Sequence, residues 1–329
     1  MTAAAPLSKP QTGLPPALII AGPTASGKSA LAMAIARAVG GVVINADAMQ
    51  CYRDLRIITA RPNDADIAAA LHVLYGVRAA EQIATAAWWR DAALAAMDAA
   101  HSAGKLPILC GGSGMYLHSL INGMAPVPDT GADARDQARA ELAAIGAPAL
   151  HAKLATFDPH TAAGLRPADG QRIARAYEVW LGTGRGLAAW QGDPTVKAPW
   201  RFGALVLDPP RDKLRAAIAT RFAAMLVAGA VEEVGALVDQ NLAPATPLLR
   251  AHGVPEISAY LRGEITLPAA EGRAVTLTGQ YTRRQATWFR HHSVASEPCN
   301  NVVVAQMANN AQFYEIYQPF LDMFLNSPT

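Results

Sequence analysis

Apolar residues in the first third of the chain fall into short unbroken runs, separated by glycine-rich turns and by stretches of helical spacing. Ala17-Leu-Ile-Ile-Ala21 is the first run and predicts a strand buried on both faces. Helical Ala/Leu/Met/Ile spacing follows from Ala30 to Val39, closed by Gly40-Gly41, and Val42-Val43-Ile44-Asn45 predicts a second buried strand. Residues 50–80 alternate only weakly and read as loop with short elements. Trp88 to Ala100 predicts a helix ended by Gly104, and Leu106-Pro-Ile-Leu-Cys110 a third strand that runs into Gly111-Gly112-Ser113-Gly114. Buried strands alternating with helices predict an α/β fold with a parallel sheet.

The pattern changes at Asn122-Gly123. A linker containing Pro126, Pro128, Asp129 and Gly131 leads into three helical patterns that end at Gly182-Thr-Gly184, among them Asp133 to Ile145 and Asp169 to Leu181. An all-helical insertion over 122–199 is expected, splitting a core made of 17–121 and 200–329. Arg201 to Leu207 resumes a strand. Asp212 then reads as the cap of a helix with Leu214, Ile218, Phe222 and Met225 at core spacing, stopped by Gly229. Pro244 to Pro255 reads as a loop, followed by a long helix from Ala269 to His291. The tail reads as a strand at Val302–Val304 and a last helix.

Composition narrows the class only slightly. Charged residues make up 16% of 329 and the chain is Ala-rich, which suits a soluble helix-rich protein. Net charge is +2, so bulk charge selects no partner. Cys51, Cys110 and Cys299 form no Cys-x-x-Cys and leave an odd count, so a reducing cytoplasmic compartment is expected, with the three thiols there for packing. Residues 1–16 read as a disordered Pro/Ala/Thr tail without an export signal, and no apolar run has the length of a membrane span.

Candidate chemistry gathers at the strand tips. Gly22-Pro23-Thr24-Ala25-Ser26-Gly27-Lys28-Ser29 between strand and helix is a phosphate-binding P-loop: backbone N–H groups and a helix N-terminus face one anion, Lys28 adds a charge, and Ser29 can ligate Mg²⁺. Asp47 follows the second strand, where open parallel sheets form their ligand crevice, although a turn or cap role fits a lone Asp there as well. Ser113 has the same ambiguity, since it could cap the helix after it. No carboxylate ends the third strand, so nothing stands where a water-positioning NTPase needs one, whereas a loop holding a diphosphate leaving group needs none. Between Gln280 and His292 every charge is positive. Arg283, Thr287 and Arg290 share a helix face beside Arg284 and Trp288, an interleaving suited to phosphates and bases. Arg172 and Arg175 lie one turn apart, as do Arg135 and Arg139, rows that by themselves read as solvated faces.

The P-loop, Asn45-Ala-Asp47, Gly111-Gly-Ser113 and Arg283-Arg-Gln-Ala-Thr-Trp-Phe289, in that order, together resemble the tRNA dimethylallyltransferases over about residues 17–292. The resemblance implies a P-loop core with a helical insertion that clamps the anticodon stem-loop. It also implies Mg²⁺, and transfer of the dimethylallyl group from its diphosphate to N6 of the adenosine 3′ of the anticodon, position 37. Gly22 to Ser29 would hold the prenyl diphosphate with help from Arg250, and Ser29 would meet the metal. Asp47 would be the general base, and Ser113 would touch the reacting nucleotide. Contacts to tRNA would come from Asp47, Ala48, Met49 and Gln50, from Arg135, from Gln171, Arg172, Ile173, Ala174 and Arg175, from Arg250, and from Arg283, Arg284, Gln285, Trp288 and Arg290. Departures from the family pattern stand at Ala48, Ile58, Arg61, Ser113 and Val254-Pro255. A monomer is expected.

Three other readings share these motifs. An adenylate isopentenyltransferase would use the same donor with a free nucleotide, and the insertion and basic helix argue against it. A P-loop small-molecule kinase would consume ATP without prenyl transfer. A non-catalytic nucleotide switch is disfavoured by the missing carboxylate.

Overall fold

The computed structural model describes residues 13–295, 299–303 and 317–326. Most of the N-terminal tail, Val304 and the stretch to 316 lie outside them. The chain forms two compact units: one holds the residues up to Ile121 together with those from Ala198 onward, the other Asn122–Lys197.

In the first unit, β1 (Pro16–Ala21) leads through the P-loop into α1 (Lys28–Val39), then β2 (Val42–Asn45), α2 (Asp64–Ala69), β3 (Leu71–Val73), α3 (Ala86–Ser102), β4 (Pro107–Gly111) and α4 (Gly114–Asn122). The second unit holds α5 (Gly131–Phe157), α6 (Pro159–Ala163), α7 (Gly170–Thr183) and α8 (Leu187–Gln191). The first unit resumes with β5 (Arg201–Leu207), α9 (Arg211–Val227), α10 (Ala230–Val238), α11 (Val254–Leu261), α12 (Leu267–His291), β6 (Asn300–Val303) and α13 (Gln318–Asn326).

Six strands among the described residues form one parallel sheet in the order β3-β2-β4-β1-β5-β6. β1 lies inside it, with Leu18 opposite Ile108 on one side and Gly203 on the other. Unbroken apolar strands are what a sheet covered on both faces demands. One face packs Ile19, Ile44 and Leu109 against Trp89, Met97 and Leu117; the other packs Leu18, Ile20 and Ile108 against Leu31, Ile35, Phe320 and Phe324. A third cluster joins Tyr52, Leu55, Ile58, Phe222, Met225, Val234 and Val254. Cys51 and Cys110 are buried and free, and burial pushes their thiols up to about 12 and about 11, which makes them inert core residues.

Residues 50–80 hold the expected short elements, α2 and β3, the latter a three-residue edge strand with Leu71 half exposed, too short to alternate visibly. Other expectations change. Asp212 does not cap α9: Pro210 stands at the cap and Asp212 in the first turn, where its charge faces the positive helix end. Gly229, at φ 101°, stops α9 just past Val227 as expected, its N–H donating to the Leu226 carbonyl at 3.3 Å, and it also opens α10. The expected loop over 244–255 holds a 3₁₀ turn at Pro247–Arg250, and α11 begins within it at Val254.

No single helix among the described residues is long and apolar enough to cross a membrane. α9 and α10 together meet the length and composition only as a pair bent by 71°, and their apolar residues, Leu214, Phe222, Val234 and Leu237, are buried in the core.

The second unit has its own core of Ala138, Leu150, Leu154, Ile173, Ala176 and Tyr177. α5 breaks at Gly146, at φ 78°, two residues before Pro148.

Candidate active site

The P-loop backbone is held open toward an anion. Ala25 and Gly27 both sit in the left-handed region, at φ 64° and 90°, which turns successive N–H groups to one side. Gly27 is the N-cap of α1 and offers no side-chain cap, so the first-turn amides have no side-chain partner at the cap. Ser26 is fully buried, and its hydroxyl has no hydrogen-bond partner among the described residues. An orphan hydroxyl inside a phosphate loop fits an incoming oxygen. Lys28 Nζ reaches back to the Pro23 carbonyl at 3.3 Å. Burial lowers its pKa, and the charge of Asp47 works in the opposite direction.

Asp47 is fixed by the residue that ends β2. Asn45 is fully buried; its amide oxygen accepts the Asp47 N–H at 2.8 Å, and its amide nitrogen donates to the carbonyls of Asp47 and Leu74 at 3.0 and 3.1 Å. Trp89 Nε1 donates to the Asn45 carbonyl at 2.7 Å. On the other side the Ala48 N–H donates to Ser113 Oγ at 3.0 Å, and the Ser113 N–H to the Ala46 carbonyl at 3.2 Å. Gly111 makes this approach possible, because a Cβ there would lie 2.0 Å from the Ala46 carbonyl oxygen. Asp47 Oδ1 accepts the Met49 N–H at 3.0 Å, so the turn role and a second oxygen without a hydrogen-bond partner among the described residues coexist in one carboxylate.

Asp47, Lys28, Ser29 and Thr24 open into one cavity of about 370 Å³. Arg221 of α9 and Arg250 line it with cations, His252 and Tyr281 with rings 4.6 Å apart, and Ile58, Phe222 and Met225 with apolar surface. Burial lowers the Arg221 pKa, against the pull of Asp47, and lifts the Tyr281 phenol to about 12. One wall therefore offers cations and N–H donors to a polyanion, another a carboxylate, and a third hydrocarbon. That combination can hold a diphosphate ester with an apolar tail and take a proton from an incoming nucleophile.

The basic helix α12 leaves Arg283, Arg284, Thr287 and Arg290 exposed; Arg284 lies over the Tyr281 ring at 5.6 Å, and Arg290 pairs with Asp208 at 3.2 Å. Trp288 is half-buried, stacked on His292 with ring centroids 4.4 Å apart. In the second unit Gln171, Arg172 and Arg175 are exposed. Arg135 and Arg175 both pair with the buried carboxylate of Glu178, which also accepts from Thr130 at 2.6 Å.

The family model for IPP transferase matches residues 50–292 of this chain. A tRNA dimethylallyltransferase of Acidiphilium cryptum is 57% identical over 94% of this chain and 95% of its own length. One from Gluconacetobacter diazotrophicus is 56% identical over 91% of each. The chain belongs to the IPP transferase family. The fold agrees. A full-length tRNA isopentenylpyrophosphate transferase from Bacillus halodurans superposes with a TM-score of 0.68 at 27% identity, covering 94% of this chain and 96% of that one. A eukaryotic dimethylallyltransferase acting on tRNA gives 0.78 at 24% identity, over 95% and 80%, and speaks for the fold alone.

Two positions expected to face tRNA are internal in this IPP transferase. Ile173 is fully buried in the core of the second unit. Gln285 is 5% exposed and spends its amide inside the fold: its oxygen accepts the Thr24 N–H at 2.9 Å and its nitrogen donates to the Gly112 carbonyl at 3.0 Å. Gln50 is likewise occupied, donating to the Thr59 and Ala60 carbonyls at 2.8 and 2.9 Å. Arg221, His252 and Tyr281 line the cavity, and none of them was singled out as a site residue from sequence. Arg221 had a legible signal, a charge on the apolar stripe Leu214, Ile218, Met225 of α9.

Proposed function

We propose that the chain is a tRNA dimethylallyltransferase that moves the dimethylallyl group from its diphosphate to N6 of the adenosine 3′-adjacent to the anticodon, position 37. The observation that carries this reading is the shared cavity, in which Lys28 of the P-loop, Arg221, Arg250, Asp47 and an apolar wall meet. The C1–O bond of the allylic diphosphate breaks as the N6–C1 bond forms. Asp47 takes the N6 proton, and the diphosphate leaves with the bonding pair into the field of Lys28, Arg221, Arg250 and the P-loop amides. N6 is a weak nucleophile, so a positioned base and a stabilised leaving group are the two contributions the reaction requires.

Mg²⁺ fits the residues present. Ser29 offers a hard oxygen into the cavity beside Lys28, and the described residues hold no cluster of three or more His, Cys, Asp or Glu. A magnesium ion that keeps its waters and takes one or two substrate phosphate oxygens needs no such cluster. When bound it would neutralise part of the charge on the departing diphosphate. Arg172 and Arg175 on α7, and Arg283, Arg284 and Arg290 on α12, are exposed and suit the phosphates of the anticodon stem-loop. Ser113 supports Asp47 from behind through Ala46 and Ala48.

The test is incubation with labelled dimethylallyl diphosphate, Mg²⁺ and either unmodified tRNA or AMP, followed by nucleoside mass spectrometry. Label at the tRNA adenosine is expected. Label on AMP alone supports the free-nucleotide reading, and, in a parallel incubation with ATP, its consumption without prenyl transfer supports a kinase.

A further inference from the structure

Resting on that reading, the cavity also carries a limit on the donor. α9 puts Arg221 among the cations and Phe222 and Met225 on the apolar wall, so charged and hydrocarbon surfaces lie within about one helical turn, roughly 5 Å. Ile58 and Phe222, each 5% exposed, close that wall against the backbone of Gly253. A Cβ placed on Gly253 would stand 2.7 Å from Ile58 Cδ1 and 2.9 Å from a ring carbon of Phe222, so no spare volume lies behind them. Farther back is close-packed core: Tyr52, Leu55, Val254 and Ile257.

Ile58 is held by a residue that does not line the cavity. Glu233, in the first turn of α10, accepts three consecutive backbone N–H groups: Arg56 and Ile57 on one oxygen at 2.6 and 2.8 Å, and Ile58 on the other at 2.9 Å. Gln50 holds the next two carbonyls, those of Thr59 and Ala60. The loop that presents Ile58 is therefore pinned through its donors by Glu233, 175 residues from Ile58, and through its acceptors by the nearby Gln50.

We infer that Ile58 and Phe222, with Glu233 pinning the loop behind Ile58, form the floor that limits the donor to one isoprene unit. A second unit would have to pass the plane where the two side chains meet Gly253. Glu233 is a positioning residue in this scheme, since it acts only through the loop.

The experiment compares kcat/KM for dimethylallyl and geranyl diphosphate on tRNA, in wild type, I58A, F222A, F222L and E233Q. Inorganic pyrophosphate affinity and the KM for tRNA are measured alongside. In E233Q an NH₂ replaces one acceptor oxygen and confronts a backbone N–H. Wild type should prefer the five-carbon donor by about 100-fold or more, since one methylene alone can decide 10- to 200-fold in a fitted pocket. I58A and F222A should cut that preference by about tenfold or more, and E233Q should cut it in the same direction, with pyrophosphate affinity and the tRNA KM held. If F222A loses pyrophosphate binding, I58A and F222L decide. Equal use of both donors by wild type overturns the inference, and so does an unchanged preference in I58A and F222L. An unchanged preference in E233Q alone removes Glu233 from it. Failure of wild type to transfer even the five-carbon group is a different result, and it is the proposed function that then falls.

Discussion

Replacing Asp47 by Asn separates the chemical role of this carboxylate from its place in the fold. The bond that the side chain makes inside the protein is Oδ1 accepting the Met49 N–H at 3.0 Å, and an amide oxygen accepts it equally well. The backbone on either side is held by Asn45 and Ser113, neither of which is altered. The cost to stability should therefore stay under about 1 kcal/mol, the worth of one ordinary hydrogen bond. The second oxygen becomes an NH₂ that cannot take a proton, so the loss falls on the transfer step. General bases contribute about 10²- to 10⁴-fold, equal to roughly 2.7–5.4 kcal/mol of barrier. The charge of Asp47 now offsets the burial of Lys28 and Arg221. Its removal leaves a more positive field around the donor, and diphosphate affinity should hold or rise. Single-turnover transfer with enzyme in excess, read by nucleoside mass spectrometry, isolates the step, and pyrophosphate calorimetry checks the donor site. Near-normal single turnover, or a rate loss matched by lost diphosphate affinity, would refute the argument and reduce Asp47 to its turn.

Lys28→Ala and Arg221→Ala should each weaken pyrophosphate binding by roughly 10- to 150-fold, the scale of a lost charged hydrogen bond, with tRNA affinity retained; calorimetry showing unchanged affinity in both would make the P-loop a structural turn. Charge reversal at Arg172 or Arg283 should weaken tRNA binding and flatten the log–log salt slope by about 0.7 to 0.9 for each phosphate that is no longer neutralised. Survival of affinity and slope in filter binding would return these residues to plain solvated surface. Burial lowers the His252 pKa below 6.5, with Arg284 adding to the effect and Glu256 and Asp47 opposing it. The unfolded chain therefore binds this proton first as pH falls, and stability is lost from about pH 6.5 downward. His252→Gln should lose less urea stability than wild type between about pH 7.5 and 5.5, and equal losses would show that the imidazole is not the group responsible.

The sequence made legible what is local. The P-loop, β2 and β5 are read to within a residue because each buried strand and its glycines sit in one short window. β3 was hidden by its three-residue length and α10 and α11 by the glycines and prolines around them. The larger gap concerns residues whose role is set at long range. Gln285 belongs by motif to a basic surface helix, yet its amide ties Thr24 to Gly112, because it sits where the glycine loops after β1 and β4 come together. Glu233 looks like one of two ordinary first-turn acids until its three N–H partners from residues 56–58 are seen. Arg221 is the exception: its place on the apolar stripe of α9 is a local signal.

The bond from Thr24 to Gln285 spans 261 residues of sequence. At about 5–20 residues per second, a ribosome needs roughly 13–50 s to make the chain between them. Through that interval the nascent chain carries a complete phosphate motif whose Thr24 amide has no Gln285 to accept it, and β1 waits for β5 until residue 201 has emerged. The first functional motif to be translated is thus among the last parts of the core to be finished. A newborn chain cannot hold the donor site in its final shape before the helix that carries the basic residues exists.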